Sequence, residues 1–229
     1  MKRHIPNTIT LFNLLSGCVG ISFAFQGRFD WVLYCLIACG IFDFLDGTAA
    51  RLLHVRSDIG KELDSLADVI SFGFLPGTIL FMMLQETTSS TYLPYAGYVV
   101  TAFSALRLAK FNVDTRQSTD FIGVNTPMNS FVIISLPFIA QRFPAIFANS
   151  YFLIAIIVLS SYLLVSEIKL FSMKVSNLSW ASNRYKYLFL LSSVLLIVLF
   201  QYLALPLILL AYILFSILHF SNEEQNATR

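Results

Sequence analysis

The sequence predicts an all-α fold, a polytopic integral membrane bundle of about eight helical spans. Three observations carry this expectation. Hydrophobic residues make up 57% of the 229 positions and charged residues only 12%, with a mean hydropathy of +0.73, which is outside the range of a water-soluble domain. Apolar runs long enough to span, about 20 residues each, follow one another along the chain. Basic residues fall almost entirely in alternate connections, as the positive-inside rule requires. The net charge of +2 is too small to argue for a nucleic-acid partner. Cys18, Cys35 and Cys39 sit in apolar stretches without CxxC spacing, so they read as buried, inert thiols rather than disulfide partners or zinc ligands.

The first span is the charge-free run Ile5 to Gly27. Ser22-Phe23-Ala24 loosely resembles a leader cleavage site, but the run is long for a leader and further apolar segments follow at once, so the helix is expected to stay. A polar turn at Gln26 to Asp30 leads to a second span starting near Trp31, an interfacial residue by type. The third begins near Gly60 and continues to about Leu84. Charge-free runs at Thr87 to Leu106, Phe121 to Gln141 and Phe143 to Ser166 supply three more. Tyr187 to Asn222 would extend about 54 Å as one helix, so two passes hinged near Gln201 to Pro206 are expected. The chain thus reads as one membrane-embedded domain, 1–229, with a core at 5–166, a connector at 167–186 and two additional spans at 187–220. The connector, with Trp180 and Tyr185, reads either as a surface-lying segment or as an ordinary loop.

With a cytoplasmic N-terminus, Lys2, Arg3, Arg51, Arg56, Lys61, Arg107, Lys110, Arg116, Lys169, Lys174, Arg184, Lys186 and Arg229 fall inside, and only Arg28 and Arg142 fall outside. All ten glycines occur at or before Gly123, and Gly73 and Gly77 have the spacing that lets membrane helices approach closely. The working part is therefore expected in the first five helices, with the later ones packing or facing lipid.

The stretch Asp43 to Asp68 stands apart, with four aspartates, an arginine and two glycines set against apolar surroundings: Asp43, Asp46, Asp64, Asp68, Arg51, Gly47 and Gly60. At about 100° per residue, Asp43, Asp46, Gly47, Ala50 and His54 share one face of the second helix, while Gly60, Asp64 and Asp68 share one face of the third. Joined by a short loop, these faces can bring four carboxylates together at the cytoplasmic interface. Oxygen-rich clusters of this kind suit Mg²⁺ or Mn²⁺, and two ions would use the ligands best. Gly47 and Gly60 leave room for a phosphate or ribose, and Arg51 offers a planar fork for phosphate oxygens. Such a site at a membrane surface points to diphosphate chemistry on a lipid, with Asp68 placed as general base. The alternative is a salt-bridge network with Arg51, Arg56 and Lys61, which suits Asp58 and Glu62; four facing carboxylates without cations are costly in a membrane.

The pattern Asp46-Gly47-x2-Ala50-Arg51-x8-Gly60-x3-Asp64-x3-Asp68 resembles the signature of the CDP-alcohol phosphatidyltransferases, with Asp43 as that family's upstream aspartate. The resemblance implies a core of six membrane helices, two divalent ions on the aspartates, displacement of CMP by an alcohol, and a homodimer. It also implies metal contacts for Asp43, Asp46, Asp64 and Asp68, the base role for Asp68, and contacts from Gly47, Arg51 and Gly60 to the CDP part. Three further stretches resemble the family's bacterial and archaeal phosphatidylserine synthases: Ile5 to Asn13, Ser71-Phe72-Gly73, and Leu106 to Asn112. They imply CDP-diacylglycerol and L-serine as substrates, in a bacterial or archaeal cell membrane. Gly123-Val124-Asn125-Thr126-Pro127 departs from the Gly-Leu-Pro-x-Pro of that branch.

Thr126 before Pro127 reads as N-cap and first helical residue, directing free N–H groups to the cytoplasmic side. A serine carboxylate could bind there, helped by Arg107 or Lys110; the same cations with Arg116 could merely set topology. Asn7 and Thr10 lie one turn apart at the start of the first helix, where they could reach a nucleotide or phosphate, or simply cap. Glycerol 3-phosphate or inositol phosphate would be the rival acceptors. A cation transporter is the rival of another class, although its site is expected near mid-membrane between repeats, and no repeat is visible.

Overall fold

The computed structural model describes residues 4–55, 57–114, 120–173 and 179–227, with the backbone alone at 181–182 and 223–227. Of the basic residues assigned to the cytoplasmic side, Lys2, Arg3, Arg56, Arg116, Lys174 and Arg229 lie outside the described residues.

Helix α1 (His4–Phe25) buries Pro6, Thr10, Asn13, Gly17, Gly20 and Ala24, a seam of small and polar residues at alternating steps of four and three. Its large apolar side chains, such as Leu11, Phe12 and Leu15, point outward, the inverse of a soluble helix and suited to lipid. Cys18 also lies on this exposed face and Cys35 is half-buried, so only Cys39 matches the expectation of a buried thiol. Helix α2 (Phe29–Leu52) packs along α1. It ends in a Schellman-type cap: Val55 N–H donates to Ala50 O and His54 N–H to Arg51 O, with His54 at φ 53°. His54 is therefore not on the aspartate face of α2, as helical periodicity predicts, because the helix has already closed by Leu53.

Helix α3 (Asp58–Thr87) starts on Ser57, whose hydroxyl accepts from Gly60 N–H, and is interrupted by a π-helical turn over Val69–Phe74. The turn lies between the last aspartate and the core, so one sequence-continuous helix presents carboxylates to α1 and α2 and then Ser71 against Gly17. The run expected from Thr87 to Leu106 is not one helix. Thr88 is extended, Leu93–Tyr98 is a 3₁₀ turn opening on Pro94, and α4 occupies Val99–Val113. The shift puts Arg107 and Lys110 on α4 itself. Gly77 and Gly97 let the 3₁₀ turn press on α3: a Cβ on Gly97 would stand 2.8 Å from Gly77 O.

The next run begins not as helix but as β1 (Phe121–Ile122), followed by Gly123 at φ 74°, where a Cβ would meet Leu164 O at 2.8 Å and Ser166 O at 3.0 Å. Helix α5 (Thr126–Arg142) is capped by Asn125, whose side chain accepts from Met128 N–H. Thr126 is thus the first helical residue and not the N-cap, since the Asn125 carboxamide already fills that role. A single turn, Pro144–Phe147, precedes α6 (Ser150–Val165), so the sixth run starts later than Phe143. The connector then forms β2 (Lys169–Leu170), antiparallel to β1 with Phe121 opposite Leu170 and Ile122 opposite Lys169. Helix α7 (Trp180–Phe200) begins seven residues before Tyr187 and takes in Arg184, Tyr185 and Lys186, so the connector is shorter than read. The predicted hinge is present: Gln201 has φ 51°, Gln201–Leu203 is 3₁₀, and α8 (Ala204–Ala227) follows.

A principal core joins α1 to α6 around Phe72, Leu75, Ile79, Leu80, Ile133 and Ile134. A smaller one gathers Phe171, Leu170, Phe189, Leu209 and Tyr212 where α7 and α8 meet the connector. Among the described residues, His4–Phe25, Phe29–Leu52, Asp58–Thr87 and Asn183–Asn222 are long and apolar enough to cross a membrane. The protein is an integral membrane helix bundle.

Candidate metal centre and active site

Of the four carboxylates expected to converge from the two helix faces, three meet. Carboxylate oxygens of Asp43 on α2 and of Asp64 and Asp68 on α3 lie within 4.8 Å of one another. At that separation each ionised pair repels by about 3.5 kcal/mol at an effective dielectric near 20. The adjacent basic side chains are turned to other partners: Arg51 Nη2 donates to Thr48 Oγ1 at 3.0 Å, and Lys61 Nζ to Asn112 O at 2.8 Å. Asp64 Oδ1 and Asn13 Oδ1 are buried without a hydrogen-bond partner. A carboxylate trio with orphaned neighbouring oxygens fits a hard divalent cation, which would bind through oxygen ligands and offset the repulsion.

Helix α1 closes the third side. Thr10 Oγ1 donates to Asp46 Oδ2 at 2.6 Å, and Asn13 Nδ2 to Asp68 Oδ1 at 3.2 Å. Asp46 and Asp68 are both buried, at 6% and 8% exposed. Asp46 stands outside the three-way cluster and lines the adjoining cavity. That cavity, about 420 Å³, is also lined by Asn7, Thr10, Gly47, Gly60 and Asp64, so most of the predicted nucleotide-side residues share one space. A Cβ on Gly47 would touch nothing nearer than Arg51 Nη1 at 4.0 Å, leaving an open wall. On Gly60 it would meet Ser57 Oγ at 3.0 Å and Asn7 Oδ1 at 3.2 Å, disturbing the cap and the α1 contact. Arg51 does not line the cavity and is exposed beside it.

The residues expected to meet the acceptor lie elsewhere. Arg107 and Lys110 line a second cavity of about 300 Å³ with Asp114, Ser166 and Glu167. Arg107 is 7% exposed, its guanidinium lies 5.0 Å from the centroid of the Phe111 ring, and its Nε has no partner. Its charge is within electrostatic reach of Asp68. Thr126 is fully buried with an unpartnered hydroxyl and does not line the second cavity.

Asn13 and Ser57 were not assigned roles from sequence. For Asn13 a signal exists: Asn7, Thr10 and Asn13 recur at three-residue steps in an otherwise apolar run, a stripe that must face something polar in a membrane.

A family model described as CDP-alcohol phosphatidyltransferase matches residues 3–173, which contain the carboxylate trio and both cavities. The chain belongs to this family. CDP-alcohol phosphatidyltransferases are metal-dependent enzymes acting on CDP-alcohol and lipid substrates, and the aspartate cluster is where such a metal fits. The chain is similar to the CDP-diacylglycerol–serine O-phosphatidyltransferase of Mycobacterium leprae, 30% identical over 72% of this chain and 57% of that protein. It is 32% identical to the Helicobacter pylori protein of the same name, over 72% of this chain and 70% of that one. The archaetidylserine synthase of Methanothermobacter thermautotrophicus is 30% identical over 72% of this chain and 68% of its own length.

Proposed function

We propose that this protein is a phosphatidylserine synthase, transferring the phosphatidyl group of CDP-diacylglycerol to L-serine and releasing CMP. The observation that carries the reading is the meeting of Asp43, Asp64 and Asp68 beside a cavity walled by Gly47 and Gly60. Serine in the names of the relatives supports the acceptor. In this reading Asp43, Asp46, Asp64 and Asp68 hold two divalent cations, Mg²⁺ or Mn²⁺. When bound, they neutralise the diphosphate and stabilise the departing oxygen.

The chain's own residues do the rest. Asn7, Thr10, Gly47 and Gly60 shape the space for the CDP part, and Arg51 forks onto phosphate oxygens at its rim. Arg107 and Lys110 hold the serine carboxylate, with Thr126 at the start of α5 as a further serine-side residue. Asp68, oriented by the Asn13 amide, takes the proton from the serine hydroxyl. The serine oxygen forms a bond to the phosphorus bearing diacylglycerol, the bond from that phosphorus to the bridging oxygen breaks, and CMP leaves with that oxygen. Residues 5–166 form the catalytic core, and the α7–α8 hairpin is an addition to it. The basic residues support a cytoplasmic N-terminus and site in a bacterial or archaeal cell membrane, and the family resemblance supports a homodimer.

The test is CMP release from CDP-diacylglycerol by the full chain in detergent with Mg²⁺ or Mn²⁺, comparing L-serine, glycerol 3-phosphate and inositol phosphate. Release that requires L-serine and falls about 10³-fold in Asp68→Asn is the expected result. Release with a phosphorylated alcohol instead would overturn the acceptor, and metal-insensitive activity would overturn the mechanism.

A further inference from the structure

The second cavity has a feature that carboxylate binding does not use. Arg107 and Lys110 lie three apart on one side of α4, and Asp114 is its C-cap. Glu167 enters from the chain after α6, and Asp114 and Glu167 line the same space of about 300 Å³ as the two cations. Among the described residues that line it, two are basic and two acidic. A phosphorylated alcohol brings two negative charges, which the cations would attract and the acids repel. A free amino acid brings one charge of each sign on a single carbon, with no net charge.

The acids are not casually placed. The backbone around Glu167 is tied down on both sides: Val124 N–H donates to Leu163 O at 3.0 Å and Gly123 N–H to Ile168 O at 2.9 Å. Gly123 allows this approach at φ 74°, and Ile122 pairs with Lys169 in the ladder just beyond. Asp114 is fixed as the C-cap of α4, its N–H donating to Lys110 O at 2.9 Å. Arg107, which lines the same cavity, is buried with its Nε unpartnered. A buried guanidinium N–H without an acceptor is costly, and a ligand carboxylate would satisfy it.

We propose that this cavity reads a zwitterion, with Asp114 and Glu167 receiving the α-ammonium of the amino acid whose carboxylate meets Arg107 and Lys110. The inference rests on the serine reading and specifies how an amino acid is told from other alcohols. Carboxylate and hydroxyl are close neighbours in serine, and Arg107 is within electrostatic reach of Asp68. In the serine reading, holding the charged end here is what presents the hydroxyl to the base.

The test compares L-serine with 3-hydroxypropionate, which keeps the hydroxyl and carboxylate but lacks the ammonium. CMP release is measured for the native enzyme, Glu167→Gln and Asp114→Asn. In the native enzyme KM for 3-hydroxypropionate should exceed that for L-serine about tenfold, a comparison that needs no variant to fold. Each substitution should raise KM for L-serine several-fold without raising KM for 3-hydroxypropionate, an anion that the acids repel, or for CDP-diacylglycerol, so the preference shrinks. Equal use of both alcohols by the native enzyme, or variants with unaltered KM for L-serine, would overturn the ammonium assignment while leaving the serine reading intact. Release supported only by phosphorylated alcohols would overturn both.

Discussion

Two long apolar stretches of this protein live in different solvents. In Asp58–Thr87, 67% of the most apolar window is buried by protein, whereas in Asn183–Asn222 the figure is 11%. The first is wrapped by α1, α2, α4 and α5, so most side chains of its apolar part have a particular neighbour. The second turns Leu191, Leu195, Val198 and Leu199 outward, where any apolar side chain meets lipid equally well. Polar groups follow the same division. On α3 Asp64 and Asp68 point inward and form the site, while on the hairpin Tyr212 and Ser216 reach back to hold the connector.

The largest effect that could break this contrast is at the carboxylate trio. Asp64→Asn is expected to lower CMP release about 10³-fold. It should also raise the thermal midpoint of the metal-free protein by about 3 °C, because it removes two repulsive pairs that only a bound cation would offset. The native protein should gain more from added Mn²⁺ than the variant does. If the midpoint and the Mn²⁺ response are both unchanged, the cluster is not the metal centre.

A smaller effect sharpens the packing side of the comparison. A Cβ on Gly17 would come within 2.9 Å of Ser71 Cα, a backbone atom that cannot rotate away. Gly17→Ala is therefore expected to cost about 1–3 kcal/mol by forcing α1 from α3. Leu195→Ala on the hairpin, where the side chain is 57% exposed, should stay within about 0.5 kcal/mol. Unfolding both variants in the same detergent tests this, and equal losses would mean that lipid and protein surroundings do not differ as argued.

What could be read from sequence follows the same division. Asp43, Asp46, Asp64 and Asp68 were legible because a membrane tolerates carboxylates only in a few arrangements, and periodicity alone places them on facing helices. The hinge at Gln201 was legible from length. The β1–β2 ladder was not, since two-residue strands carry no periodicity and their partners are some 50 positions apart. Asn125 and Thr126 are both capping types ahead of Pro127, and only the bond from Met128 N–H to the Asn125 side chain decides between them. The early end of α2 was hidden because His54 adopts the left-handed conformation that glycine usually marks.

The finest test concerns Tyr212, a hairpin residue beyond the segment matched by the family model. Its hydroxyl donates to Phe171 O at 2.6 Å, while Phe171 N–H donates to Ser216 Oγ at 3.3 Å, so α8 grips both backbone groups of one connector residue. Phe171 follows Leu170, which is paired with Phe121, and Glu167 lies a few residues upstream at the second cavity. Tyr212→Phe removes one donor while keeping the ring against Phe171 and Phe189, and should cost about 1 kcal/mol of stability. If the hairpin braces the cavity, KM for L-serine rises about threefold with kcat and KM for CDP-diacylglycerol unchanged, because only the placement of β2 has loosened. If stability falls but KM for L-serine does not move, α8 anchors the connector without tuning the site. The contrast between a protein-wrapped core and a lipid-facing hairpin would then be complete.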